Sequence, residues 1–232
     1  ELGPDTPPLR LCSLPGRHLG SHVWISGQLL ARFLAAGRCP ALRGGPGSAG
    51  VRCLELGAGV GVAGLAAVAA GGAASVVLTD KEELLPLLRH NIQLNGLAEC
   101  CRAETLVWGS SPPADWGSFD VVLAADVIYP TKDSSALFAL RDTIFSLCPC
   151  GSSTVFILAY QERAEEDRAF LHNELLPHFD VTIDEVSEAE LPAPEQPGAR
   201  VGSPDPGPAG SGAGAATVPQ TCKVYSCRRL PG

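Results

Sequence analysis

The run Glu55-Leu56-Gly57-Ala58-Gly59-Val60-Gly61 is the first place where residue types and spacing suggest chemistry. Glycines spaced in this way let a strand turn sharply into a helix while the backbone passes close to a ligand. A side chain at those positions would fill the ligand's space. Asp80 lies roughly 20 residues further on, where a carboxylate ending a second strand accepts hydrogen bonds from ribose hydroxyls. Two frames fit the loop, because Gly59-x-Gly61-x-x-Gly64 also matches the dinucleotide fingerprint. Asp80 has an alternative role as a helix N-cap, with Glu83 three residues on. Glu55 helps choose the ligand, since a carboxylate beside the loop attracts a cationic amino-acid group and repels a diphosphate. The chain also offers one glycine-loop unit, without a second lobe or a hydride-transfer pair. These features favour S-adenosylmethionine over NAD.

Asp126-Val127-Ile128-Tyr129 follows an almost wholly apolar segment, Phe119–Ala125. The carboxyl end of a parallel strand is the rim where such sheets bind ligands. A carboxylate there can attract a cationic amine, and a tyrosine ring and hydroxyl can orient it. On the residues alone, a helix cap at Asp126 and a packing tyrosine at 129 are equally open. The histidines at 18, 22, 90, 172 and 178 form no spaced ligand set. Cys100-Cys101 and Cys148-Pro149-Cys150 are too tight for zinc pairs, so no metal is expected. The nine cysteines are read as reduced and buried.

The elements that must position these groups follow from periodicity. A helical pattern runs from about Val23 to Leu34, and the Gly/Pro/Ala-rich stretch Arg38 to Gly50 is a loop. Strands are expected at Val51–Leu56, Ser75–Thr79, within Arg102–Trp108, at Phe119–Ala125, Thr154–Tyr160 and Phe179–Val186, and finally at Lys223–Leu230. Helices are expected near Val62–Ala70, from about Pro86 to Asn95-Gly96, at Ser135–Leu147 and from Glu162 to Leu176. Continuous apolar strands separated by helices predict a doubly wound α/β fold. Its sheet is mostly parallel and seven-stranded, with an antiparallel last strand and the last two strands paired at the edge. Residues 1–22 are read as an irregular start to a single domain spanning 1–232. Leu191 to Gln220 is mostly Pro, Gly, Ala and Ser, and cannot bury enough apolar surface to offset its ordering entropy. It is expected to be a disordered insertion.

Composition narrows the class. Hydrophobic residues make up 45% and charged residues 18%, as in globular chains. No apolar run reaches the ~18 residues of a membrane span. The net charge of −8 lacks the basic footprint of a nucleic-acid binder and suits a basic protein substrate or plain solubility. Neither a nucleic-acid nor a membrane partner is expected. The chain is expected to be a cytoplasmic monomer, with the nucleus as the second location.

Taken together, the Glu55–Gly61 loop, Asp80 at a strand end, Trp108-Gly109 and Asp126-Val-Ile-Tyr129 resemble the class I, seven-strand methyltransferases. More narrowly they resemble the methyltransferase-like family 16 protein-lysine methyltransferases, which carry Asp-x-x-Tyr after the fourth strand. Val23-Trp24 matches that family's Val-Trp pair opening a helix. The likeness runs from about Gly20 to Tyr160. It implies S-adenosylmethionine as cofactor and a lysine side chain of an intracellular protein as methyl acceptor. It implies cofactor contacts from Trp24, Gly57, Ala58, Gly59, Asp80, Trp108 and Ala125, alongside Glu55 and Gly61 of the loop. Asp126 and Tyr129 would serve the acceptor. Ser26-Gly27 departs from the family's Asp-Ala pair, the loop after Arg38 is long, and the 191–220 insertion is no family feature. Other class I acceptors, or a silent cofactor-binding interaction protein, are the competing readings.

Overall fold

The computed structural model describes residues 2, 6–14, 18–44, 50–129, 135–187 and 221–232. The expected insertion at 191–220 lies outside them. Seven strands form one sheet: β1 Val51–Leu56, β2 Ala73–Asp80, β3 Cys101–Thr105, β4 Val121–Ala125, β5 Val155–Tyr160, β6 Phe179–Ser187 and β7 Thr221–Arg229. Their spatial order is β3-β2-β1-β4-β5-β7-β6. The first five strands pair in parallel, and β7 runs antiparallel between β5 and β6. The fold is the doubly wound one expected.

Strand alternation sorts the core into two layers. Cys53, Val76, Leu78, Val121, Leu123 and Ile157 face one side with Leu30, Phe33, Leu65 and Leu88. Leu54, Leu56, Val122, Phe156 and Leu158 face the other, with Leu140, Ile144 and Leu171. Helices α1 Ile25–Ala35, α2 Val62–Ala69 and α3 Leu85–Leu94 therefore cover the first face. Helices α4 Ser135–Leu147 and α5 Glu165–Phe170 cover the second. Pro86 sits in the first turn of α3, where its missing N–H leaves no bond unmade.

Three local differences from expectation have physical causes. The helix read from Glu162 to Leu176 begins only at Glu165 and widens into a π turn over Leu171–Leu175. The long loop after Arg38 holds a 3₁₀ turn, Pro40–Arg43, which buries Leu42. Ser26-Gly27 is small because α1 packs closely on α2: a Cβ on Gly27 would lie 2.9 Å from Val62 Cγ1.

Among the described residues, no helix or strand precedes the 3₁₀ turn at Leu19–Ser21, yet the N-terminal segment is fastened. Fully buried Asn91 of α3 accepts from Cys12 N at 2.7 Å through Oδ1. Its Nδ2 donates to Cys12 O at 3.1 Å and to Val60 O at 2.9 Å. One side chain thus ties the segment to the loop after β1.

Candidate active site

The strand order reverses between β1 and β4, whose parallel register carries Leu56 opposite Ala124. At such a switch point the loops leaving the two strands diverge, and the crevice between them is the ligand site of an open α/β sheet. Gly57 leaves β1 there, and Asp126 leaves β4. The two loops touch, since a Cβ on Gly57 would lie 3.0 Å from Val127 Cγ1 and 3.3 Å from Trp108 Cζ2. Trp108, half-buried past the end of β3, is thereby brought against the glycine loop.

The loop's shape is fixed by backbone conformations that glycine alone adopts cheaply. Gly57 has φ 60° and Gly59 φ 56°, both in the left-handed region. A Cβ on Gly59 would also fall 2.6 Å from Gly20 O, so the N-terminal segment closes over this point. Ala58 N donates to Thr79 O at 2.9 Å and Gly61 N to Ala58 O at 2.7 Å, which completes a tight turn into α2. The result is a cradle of bare backbone packed so closely on Val127, Trp108 and Gly20 that a side chain at Gly57 or Gly59 would collide with them.

Asp80 is half-buried at the end of β2. Its Oδ2 accepts from Gly59 N and its Oδ1 from Lys81 N, each at 2.8 Å. Burial raises its pKa, while the hydrogen bonds from Gly59 and Lys81 lower it. The N-cap alternative is not what forms, because the turn at Glu82–Leu84 has no side-chain cap bond. Asp80 instead clasps the glycine loop, and each of its carboxylate oxygens retains acceptor capacity beyond that one bond.

Glu55 sits elsewhere than the charge argument supposed. It is 2% exposed, on the strand face that meets α2, and its Oε2 accepts from Gly64 N at 2.9 Å. Desolvation lifts its pKa to about 8, so in the ligand-free chain it holds a proton near neutrality. A Cβ on Gly64 would lie 2.6 Å from that oxygen, so the glycine makes room for the bond.

Asp126 has φ 57°, and among the described residues it is the one non-glycine in that region. Its N donates to Ala159 O at 3.1 Å, anchoring the strained residue to β5. Its side chain is 4% exposed, with Oδ2 2.6 Å from Arg163 Nη2. Its Oδ1 is buried and makes no hydrogen bond among the described residues. No hydrogen bond caps a helix through Asp126 among the described residues, so the cap alternative loses its support. Tyr129 is half-buried three residues on, and Ala125 is half-buried at the strand end.

Trp24 is 41% exposed, which removes its reading as a core anchor. It is the N-cap residue of α1, and its Nε1 donates to Leu19 O at 3.0 Å. Its ring carries the Arg163 guanidinium, with Cζ 5.4 Å from the centroid. Arg163 and Gly20 are the participants that sequence reasoning missed. The signal for Arg163 was indirect: a buried carboxylate leaving β4 calls for a cation, and Arg163 leaves neighbouring β5 at the same end.

Comparisons with known proteins show the family. A family model described as lysine methyltransferase matches residues 4–175. The chain is 30% identical over 193 residues to Protein-lysine N-methyltransferase EFM6 of Saccharomyces cerevisiae, covering 75% of this chain and 77% of that protein. It is 31% identical over 163 residues to Protein N-lysine methyltransferase METTL21A of Danio rerio, covering 68% of each. The solved METTL16 methyltransferase domain superposes with a TM-score of 0.54 at 10% identity, covering 86% of this chain and 67% of that one, a likeness of fold alone. The chain therefore belongs to the lysine methyltransferase family and is a protein-lysine methyltransferase.

Proposed function

We propose that the glycine loop with Asp80 binds S-adenosylmethionine, and that Asp126 with Tyr129 receives the lysine of a protein substrate in the cytoplasm or nucleus. The observation that carries this reading is the buried, unpartnered Oδ1 of Asp126, beside a loop that touches Gly57. A buried polar atom without a partner is costly and is kept where a ligand completes it. An ammonium supplies the missing donor and the matching charge. The free thiols fit a reducing compartment.

The cofactor, when bound, supplies an electrophilic methyl group on a sulfonium. Gly57 and Gly59 would let it approach the backbone, Asp80 would accept hydrogen bonds from its ribose hydroxyls, and Trp108 would pack beside its adenine. Lysine arrives as an ammonium of ordinary pKa ~10.4 and must shed a proton before its nitrogen can attack. Asp126 draws the cation in, and Tyr129 orients it. Alignment of nitrogen and methyl then contributes a large part of the rate.

The reading is tested by incubating the chain with S-adenosylmethionine carrying a deuterated methyl group and a cell protein extract, then mapping the label by mass spectrometry. Deuterated methyl on lysine Nε is the expected result. Label confined to arginine, nucleic acid or small molecules contradicts it.

A further inference from the structure

The ion pair between Asp126 and Arg163 has no part in methyl transfer as described above, and its two halves differ. Arg163 keeps 30% of its side-chain surface exposed, against 4% for Asp126. It also makes a 3.3 Å bond to Gln161 Oε1 and lies over the Trp24 ring. Asp126 is held by its backbone bond to Ala159 O, whereas the arginine has a long side chain that stays partly in water. The cation is the movable partner, and the anion is the fixed one.

A carboxylate so desolvated requires a positive neighbour at all times, because losing one leaves an uncompensated buried charge. One cation can replace another at Asp126 with little change in that balance. A neutral or anionic group cannot. An incoming ammonium would also find Oδ1, which Arg163 leaves unused.

Arg163 has somewhere else to go. Asp167, 2% exposed in the first turn of α5, has a buried Oδ2 with no hydrogen bond. Burial and then Glu166 raise the pKa of Asp167, and the charge of Arg163 pulls it back, so the guanidinium already acts on both acids. The Tyr160 hydroxyl, also buried and without a hydrogen bond, feels the same guanidinium.

We propose that Arg163 is an intramolecular stand-in for the substrate lysine, seated on Asp126 in the free enzyme and displaced toward Asp167 when an ammonium enters. The device rests on the reading of Asp126 as the acceptor carboxylate. It makes Arg163 a specificity residue: only a cation exchanges with it, and its occupancy sets how tightly a lysine must bind. A ligand whose site is open for a fraction of the time has its affinity reduced by that fraction.

The test uses the full chain and n-butylammonium chloride as a lysine side-chain probe, with n-butanol as the neutral isostere and sodium chloride as the salt control. NMR follows the Arg163 guanidinium signals, assigned through Arg163→Gln, and the amides of Ala125 and Val127. In the wild type, n-butylammonium alone is expected to shift both sets with one midpoint. Arg163→Gln is expected to tighten that midpoint by about tenfold, as for a site previously open about one-tenth of the time. Asp126→Asn is expected to abolish it. Amide shifts with unmoved Arg163 signals, or equal or weaker binding by Arg163→Gln, overturn the stand-in role and leave Asp126 as an acceptor site. Binding that survives in Asp126→Asn, or no saturable shift at all, overturns the acceptor reading and the stand-in with it. The wild-type measurement decides the matter even where a variant folds poorly.

Discussion

At the end of β2, Asp80 receives two backbone N–H bonds at 2.8 Å and stays half-exposed. Just past β4, Asp126 is nearly sealed from water, strained at φ 57°, paired to one partly exposed guanidinium and left with a bare oxygen. Both carboxylates stand on the same rim of the same sheet, and they are satisfied in different currencies. Backbone donors cannot leave, so Asp80 is part of the cradle's architecture and meets a ligand with its spare lone pairs. A side-chain cation can leave, so Asp126 is built for exchange. On the proposed reading, the cofactor side is shaped before its ligand arrives, and the acceptor side waits for a charge to complete it.

The cofactor side hides a third carboxylate, and it gives the largest expected effect. Glu55 has its pKa raised to about 8 by burial. The unfolded chain releases that proton near pH 4.5, while the folded chain holds it until about 8. Over that window the folded state binds more protons, so rising pH lowers stability. Glu55→Gln keeps an acceptor for Gly64 N and removes the ionisation. Its stability advantage over the wild type is expected to be near zero below pH 4.5 and to grow to the order of 3–5 kcal/mol above pH 8. Denaturant melts of both proteins across that range check it, and parallel pH curves would show Glu55 to be solvated.

Gly59→Val attacks the preformed side directly. The left-handed backbone and the contact with Gly20 O should together cost about 2–4 kcal/mol and abolish S-adenosylhomocysteine binding. Thermal melting and calorimetry read the two effects. Normal binding would mean that the cradle lies elsewhere. Asp80→Ala is expected to weaken S-adenosylhomocysteine by about 1–3 kcal/mol, the worth of hydrogen bonds to a charged group. An unchanged affinity would leave Asp80 only its clasp on Gly59.

How far the sequence revealed these two sides differs in the same way. The first five strands and the glycine loop were legible because strands buried on both faces read as continuous apolar runs, and a left-handed turn calls for glycine. Glu55 was recognised as unusual but given the wrong surroundings, since strand alternation puts it beside Cys53 on the α2 face. The π turn at Leu171–Leu175 was hidden because its apolar spacing matches an ordinary helix. Arg163 was invisible because its partner lies 37 residues away in sequence and meets it only when two loops converge.

The contrast between the two carboxylates is tested most directly by Asp126→Asn, with methyl transfer, S-adenosylhomocysteine affinity and melting temperature measured on one preparation. The amide keeps the shape and removes the charge that holds an ammonium. Transfer to protein lysine is expected to fall by at least about tenfold, or about 1.4 kcal/mol, while cofactor affinity stays within about twofold and the protein melts as a folded domain. Wild-type turnover in a well-folded Asp126→Asn protein would contradict the account, as would a loss of cofactor affinity that matches the loss of transfer.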